Sequence, residues 1–570
     1  MSEPGTTDTK VDTKANINAD TYEAIVIGSG ATGGVAALTL AEAGVRVLVV
    51  EAGPHWSAQQ ALGSEPVNSL RRLAGLSSGQ HRRQAQHPGY WKANPLLYAD
   101  ERRHPYSHPQ DQPFLWTQGR QVGGRSLTWG GITLRLSDDE FSAASSDGLG
   151  SGWPLTHAEL APHYSALEKR LQVHGHCDGL QQLPDGHYQE PYAFTAAEQC
   201  FAEAVQDNLG HRLIHSRGFG PHRPAEDGAW PLYSSPGSTL ARAIATGRVD
   251  VLSEHMAERL VMSADRRSAE AVIVVDQRNG SRHQLHGSLI VLCASTIQSL
   301  RLLLNSEVGQ HGDGFVDPSG ILGCHLMDHV SICRFFAFPR QLFSASETRE
   351  KAAPLSGAGS FFFPFGRHFN NNQSPGFSGG YGLWGGIDRF DPPAAFKKYP
   401  DSVTGFLIGH GEVLPDRRNR VTLSAQTDPW GIPIPQISCC WRANELAMVK
   451  HMQRTIAEIV ASAGGTIQPF KDLFRLPFLE KFLQGAVALG EAAPPPGYYV
   501  HEVGGAPMGD AESISVVNRF NQLWRCRNVL VVDGACWPTS GWQSPTLTMM
   551  AITRRACLQA LRRNDGGTDR

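Results

Sequence analysis

Polar residues fill the first twenty positions, MSEPGTTDTKVDTKANINAD, and apolar order begins abruptly at Tyr22. A start with so little to bury is expected to be disordered. Ala24 to Ile27 is a short apolar run stopped by Gly28, the pattern of a strand buried on both faces of a parallel sheet. Gly33 to Ala43 is rich in Ala and Leu, predicts a helix, and is closed by Gly44. Val45 to Val50 predicts a second buried strand, so the whole stretch is a βαβ unit. Farther on, VDVLSEHMAERLVM predicts a strand after Arg248, and AVIVVDQRNGSRHQLHGSLIVLCAS is β-rich. Trp153 to Lys169 predicts a helix with Thr156 as its N-cap and Glu159 three residues on, a capping box. Near the end, Val529 to Val532 predicts a buried strand, and Ser544-Pro545-Thr546 opens a helix with Ser544 at the N-cap and Pro545 at the first helical position.

Length and charge narrow the classes. The 570 residues suggest roughly two to four domains, with a core large enough to need no staples. A net charge of -3, from 51 basic and 54 acidic residues, gives no pull toward nucleic acid or an anionic membrane. No apolar run approaches the ~18 residues of a membrane span. The polar start lacks an apolar export segment, so a cytoplasmic protein is expected. Ten cysteines are scattered without a CxxC and read as reduced, structural thiols. His325 and His329 stand at i, i+4 in HLMDH, but no ligand cluster accompanies them and no metal is expected.

The turn Gly28-Ser29-Gly30-Ala31-Thr32-Gly33 reads GxGxxG between a strand and a helix. Gly28 permits the tight turn, Gly30 lets backbone approach a pyrophosphate, and Gly33 lets helix and strand pack closely. The free N–H groups at the helix start then face the phosphates. Glu51, followed by Ala52, ends the second strand eighteen residues after Gly33, where an acid accepts hydrogen bonds from a ribose diol. The nucleotide is NAD or FAD by this motif alone. Two further Gly pairs, Gly123-Gly124 and Gly130-Gly131 in WTQGRQVGGRSLTWGGITLRL, suggest backbone passing very close to a ligand.

Together with GILGCHLMDH, HEVGGAPMGD and NVLVVDGACWPTSGWQSPTLTMMAITRRACLQAL, these segments resemble the glucose-methanol-choline (GMC) flavoprotein oxidoreductases. Within that group the chain is similar to the branch of gluconate and fructose dehydrogenase flavoprotein subunits and pyranose oxidase. The likeness runs from about Tyr22 to Leu561, but from Arg334 to Ala493 it survives only in pieces such as GEVLPDRRNRVTLS and DPWGIP. It implies an α/β fold: a Rossmann-like FAD-binding domain split along the chain, and a second α+β substrate domain built on an antiparallel sheet. The expected divisions are 1–20 disordered; 21–330 the first part of the FAD domain, with insertions at about 60–110 and 146–240; 331–498 the substrate domain; and 499–565 the C-terminal part of the FAD domain. Stretches 60–110 and 360–400 are expected to be lid or interface loops.

The resemblance also implies residue roles. FAD would be held by Gly28, Ser29, Gly30, Ala31, Thr32, Gly33, Glu51 and Ala52, then by Arg120, Gly123, Gly124, Ser126, Thr128, Trp129, Gly130 and Gly131. Ala294 and Ser295, and Asp533, Gly534, Pro545 and Thr546, complete the set, with Asp533 on the ribityl chain. Pyranose oxidase carries a covalently flavinylated His in the Gly-rich loop; Thr128 stands there here, so FAD is expected to be non-covalent. Ser295 occupies a position where the family usually has Gly. His501 matches the family's base, suited to taking a hydroxyl proton by an unperturbed pKa of ~6.5. The family places Asn or His 40-odd positions later; here the occupant, 43 positions on, is Ser544. Ser544 either holds the substrate oxygen, or is a plain helix cap with another side chain as partner, or marks altered chemistry; Trp542 and Gln543 are nearby candidates. The implied reaction is oxidation of a CH–OH group of a polyol, sugar or sugar-like molecule by hydride transfer to flavin N5. O2 or a quinone would reoxidise the flavin, and the oligomeric state is left open. A redox-neutral lyase or isomerase, a non-catalytic flavin-bearing subunit and, last, an NAD-dependent dehydrogenase are the alternatives.

Overall fold

The computed structural model describes residues 22–144, 148, 152–220, 229–307, 310–312, 314–343, 353–367, 376–389, 402–469 and 492–564. The segment expected to be disordered, 1–20, lies outside the described residues. Two sheets dominate. In the first, five strands run parallel in the order Cys526–Val531, Leu289–Leu292, Ala24–Ile27, Val47–Val50, Val249–Leu252. Three two-residue strands, Met508–Gly509, Val517–Asn518 and Gln522–Leu523, extend its Cys526 edge. Every residue of Ala24–Ile27, Val47–Val50 and Leu289–Leu292 is buried, which explains why these strands are continuous apolar runs rather than alternating ones. The helix Ala31–Glu42 covers one face, packed between Thr239–Ala245 and the C-terminal helix Thr546–Asn564. One strand, Leu289–Leu292, separates the N-terminal from the C-terminal strand. Gly28, Glu51, Cys293 and Val532 therefore follow strand ends at one carboxyl edge, where open α/β sheets bind ligands.

The second sheet is antiparallel, in the order Thr466–Ile467, Val330–Pro339, Ser402–Gly411, Tyr381–Ile387, Phe361–Gly366, Ile214–His215. Its longest pairing runs from Ser402 opposite Pro339 to Gly411 opposite Val330. The helix Ala443–Ser462 lies on one face: a Cβ on Gly409 or Gly411 would strike Met452 or Met448. The opposite face looks toward the first sheet. Mixed α/β architecture with an antiparallel second unit is thus what the chain forms.

Local differences have physical reasons. Stretch 360–400 is not loop throughout: Phe361–Gly366 and Tyr381–Ile387 are inner strands of the second sheet. Their glycines hide the strand signal and serve packing, since a Cβ on Gly382 would strike the Trp542 ring. Ile214–His215, from within the 146–240 insertion, supplies that sheet's outer strand. The single strand expected after Arg248 is two, Val249–Leu252 and His255–Met262, broken where Glu254 adopts φ 59°. Stretch 60–110 folds into the helix Glu65–Ser77 and short 3-10 turns. The capping box is present: Thr156 Oγ1 accepts from Glu159 N–H at the head of His157–Leu171.

Candidate active site

A cavity of about 970 Å³ opens at the carboxyl edge of the parallel sheet and reaches the antiparallel one. Of the residues expected to hold FAD, together with His501 and Ser544, all line it except Gly33 and Gly123. The glycines divide their work. A Cβ on Gly28 would sit 2.3 Å from Cys293 O, with φ +101°, and one on Gly33 would sit 1.9 Å from Gly28 O. Those two glycines let strand and helix close on each other. Gly30 is different: its nearest neighbour would be Gly123 O at 3.9 Å, and the Cβ of Gly124 would lie 3.6 Å from Gly30 Cα. Gly30 and Gly124 thus pack beside each other as bare backbone, and the space a side chain on Gly30 would take is left open to the cavity.

Glu51 is more committed than the ribose reading requires. Its carboxylate accepts from Ser29 Oγ at 2.5 Å, Ser29 N at 3.2 Å and Gly53 N at 2.9 Å, and burial pushes its pKa up. It fixes the Gly turn and still lines the cavity. Asp533 similarly accepts from Ser299 Oγ at 2.5 Å and from Ala535 N at 3.0 Å; burial lifts it to about 6. Ser295 takes φ 78°, a left-handed conformation that favours Gly, which accounts for Gly at this position elsewhere in the resemblance. Its hydroxyl accepts from Arg125 Nη2 at 3.0 Å.

His501 sits on a loop pinned by the buried Asp328. One Asp328 oxygen accepts from His501 N at 2.9 Å, the other from Gly497 N at 2.8 Å and Tyr499 N at 3.3 Å. Burial, and then the Glu502 carboxylate, push Asp328 upward. Arg125 adds a second anchor, pairing with Glu502 at 2.7 Å and donating to Val500 O at 3.4 Å. The ring meets another imidazole: His501 Nδ1 lies 3.0 Å from His329 Nδ1, and His329 Nε2 lies 2.6 Å from Gly541 O. A carbonyl only accepts, so the bonding assigns the proton to His329 Nε2. Burial pushes His329 down to about 4, so it is neutral near pH 7 and its Nδ1 is an acceptor. His501 must then donate from Nδ1. Burial, followed by the His329 and His410 rings and Arg125, holds His501 well below the ordinary imidazole range. Neutral and protonated at Nδ1, it is left with a lone pair on Nε2.

The loop just before Ser544 is held by the same histidine group. His410, from Ser402–Gly411, donates from Nδ1 to Trp542 O at 2.8 Å. Its ring stacks 5.5 Å from His329 and 5.3 Å from Tyr499. Trp542 and Gln543, the alternative partners, are fully buried and do not line the cavity; Gln543 Nε2 donates to Gln182 O at 3.3 Å. Ser544 does line it. The helix starts one residue later than expected. Met549 N donates to Pro545 O at 3.0 Å, which makes Pro545 the capping residue and leaves Ser544 outside the helix.

His329, His410, Asp328 and Arg125 escaped the sequence reading. HLMDH carries part of the family resemblance, and its i, i+4 histidines raise only the question of a metal; that segment is not helical, and His325 has φ 64°. Asp328-His329 was the usable signal, an acid and an imidazole side by side in an apolar context.

Residues 22–331 and 415–553 match profiles described as GMC oxidoreductase. The chain is 25% identical over 581 residues to 2-methyl-1,2-propanediol dehydrogenase of Mycolicibacterium austroafricanum, covering 95% of each. It is 26% identical to paromamine 6'-oxidase of Streptomyces fradiae, covering 94% of this chain and 90% of that one. It is 22% identical to the fructose dehydrogenase large subunit of Gluconobacter japonicus, covering 94% and 96%. The crystal structure of pyridoxine 4-oxidase from Mesorbium loti superimposes with TM-score 0.58 at 17% identity, over 95% of this chain and 99% of that one, a likeness of fold. No helix among the described residues is long and apolar enough to cross a membrane. With profiles matched over more than half its length, the chain belongs to the GMC oxidoreductase family of flavoproteins.

Proposed function

We propose that this protein binds FAD non-covalently and oxidises the CH–OH group of an alcohol, with His501 Nε2 as the proton acceptor. The observation that carries the reading is the Gly541 O–His329–His501 chain, which leaves His501 with a lone pair on Nε2 in a residue that lines the cavity. The open space beside Gly30 and the predicted residues around the cavity fit a dinucleotide extended from the Gly turn toward His501. Thr128, whose hydroxyl donates to Arg125 O at 3.4 Å, supplies no nucleophilic imidazole for a flavin link. FAD, when bound, supplies the two-electron acceptor for the carbinol hydrogen.

The protein's part is positional and protic. Ser544 lies beside the cavity outside the helix and donates to or accepts from the substrate oxygen. His501 takes the hydroxyl proton at Nε2 while Nδ1–H remains on His329, so the ring does not turn as its charge changes. Burial keeps it neutral beforehand, ready to accept. The 2-methyl-1,2-propanediol dehydrogenase and the paromamine 6'-oxidase among the relatives support alcohol oxidation.

The test is anaerobic mixing of the yellow holoenzyme with alcohols, following loss of the flavin's visible band, then admission of O2. Reduction by an alcohol is expected, and His501→Ala should slow it about 10²–10⁴-fold. An unchanged rate in that variant removes His501 from its role. If dithionite bleaches the flavin and no alcohol does, the oxidoreductase reading fails; turnover without any acceptor would favour a redox-neutral reaction.

A further inference from the structure

The register of the antiparallel sheet dictates what its cavity-facing side presents. Cys333 pairs with Ile408 and Ile408 with Trp384; Phe335 pairs with Phe406 and Phe406 with Gly386. Cross-strand partners and residues two apart share a face, so these side chains project together. The row before them is Ser331, His410 and Gly382, and His410 belongs to the histidine group beside His501. Moving away from His410 along its strand, Ile408 lies about 7 Å and Phe406 about 13 Å off.

The wall is continuous. Phe406 meets Trp384 edge-on at 5.1 Å and lies 6.4 Å from Phe335. Leu355 closes the far side, since a Cβ on Gly386 would touch both Leu355 and Phe406. Cys333, Phe335, Phe406, Ile408, Trp384 and Leu355 all line the cavity. Four of the polar residues that line the cavity, His501, Ser544, Tyr499 and Ser331, lie at the other end, while Tyr498 stands near Cys333 with His87 against its ring. The site is therefore amphiphilic, with hydroxyl chemistry at the histidines and an apolar plate leading away.

We infer that the substrate is an alcohol whose hydroxyl-bearing carbon carries a bulky apolar group, an aromatic or alicyclic ring, which rests on the Phe335–Phe406–Ile408–Trp384 wall. The inference rests on the oxidoreductase reading above and specifies its substrate. A polyhydroxylated ring placed there would trade water for carbon at several hydroxyls, and a buried hydroxyl without a partner is costly. An apolar ring gains from the same contact.

Anaerobic flavin reduction distinguishes the outcomes. The holoenzyme is mixed with 3-phenylpropan-1-ol and cyclohexylmethanol, and separately with glycerol and a hexose, which present hydroxyls on every side. The ring alcohols should reduce the flavin with kcat/KM at least about tenfold above the hydroxylated ones. Ile408→Ser should cut that advantage about tenfold, through a rise in KM for the ring alcohols. Faster reduction by the hexose or glycerol overturns the apolar-substrate inference and leaves alcohol oxidation standing. Failure of all four, with dithionite still effective, defeats both. An Ile408→Ser holoenzyme that keeps its flavin and its preference removes the wall from substrate choice.

Discussion

A single carbonyl oxygen, that of Gly541, sets what two imidazoles do. It holds the proton on His329 Nε2, which makes His329 Nδ1 an acceptor and obliges His501 to donate from Nδ1. His329 is then a positioning residue, and its loss has a specific signature. In His329→Leu, His501 loses its partner and both tautomers become accessible, so flavin reduction should slow about tenfold or more. The same change made in a His501→Ala background should cost little further, because its effect passes through His501. The wild-type pH profile supplies the control. A depressed pKa keeps His501 neutral as pH falls, so reduction should show no break near the ordinary ~6.5 of imidazole and should decline only in more acidic solution. At this scale the sequence held half of the site. His501 and Ser544 were readable from their motifs, but His329 is 172 positions from His501 and reaches it only through the meeting of two sheets.

The Gly turn is the element that local pattern described best, because strand, turn and helix are contiguous and each glycine has a separate geometric duty. Those duties can be told apart by alanine. Gly28→Ala and Gly33→Ala place a methyl within 2.3 Å of backbone and should lower Tm, at a cost of about 2 kcal/mol or more. Gly30→Ala has room in the protein and should leave the Tm of the apoprotein unchanged while the purified sample loses FAD. A Gly30→Ala protein as yellow as the parent would show that no part of the cofactor lies against Gly30. The inner strands Phe361–Gly366 and Tyr381–Ile387 were illegible for the opposite reason. FFFPFG has no alternation to read, and Tyr381–Ile387 loses its own to glycines against which Trp542 and Phe406 pack.

At the scale of the molecule, the N- and C-terminal thirds share one sheet, as the family resemblance implies. The clasps that hold the rest to it are not so implied, since buried ion pairs leave no periodic trace. Arg301, on Thr296–Asn305, pairs with Asp428 at 2.7 Å and donates to the carbonyls of Pro433 and Ile432, both partners being almost fully buried. Asp428→Asn leaves that guanidinium uncompensated, and removing one member of such a pair costs about 3–5 kcal/mol. Thermal unfolding should shift down by several degrees, with FAD retention falling alongside. Arg389 and Glu198, paired at 2.7 Å with no exposed side-chain surface, do the same for the second sheet.

The histidine series has an end, and that end governs traffic. A peptide oxygen offers no exchangeable hydrogen and leads to no further carrier, so the line His501–His329–Gly541 is a cul-de-sac. On the proposed reaction each turnover would load one hydrogen ion onto an imidazole with no rear exit, and that ion would have to leave by way of the cavity. Discharge and product escape would then share one space.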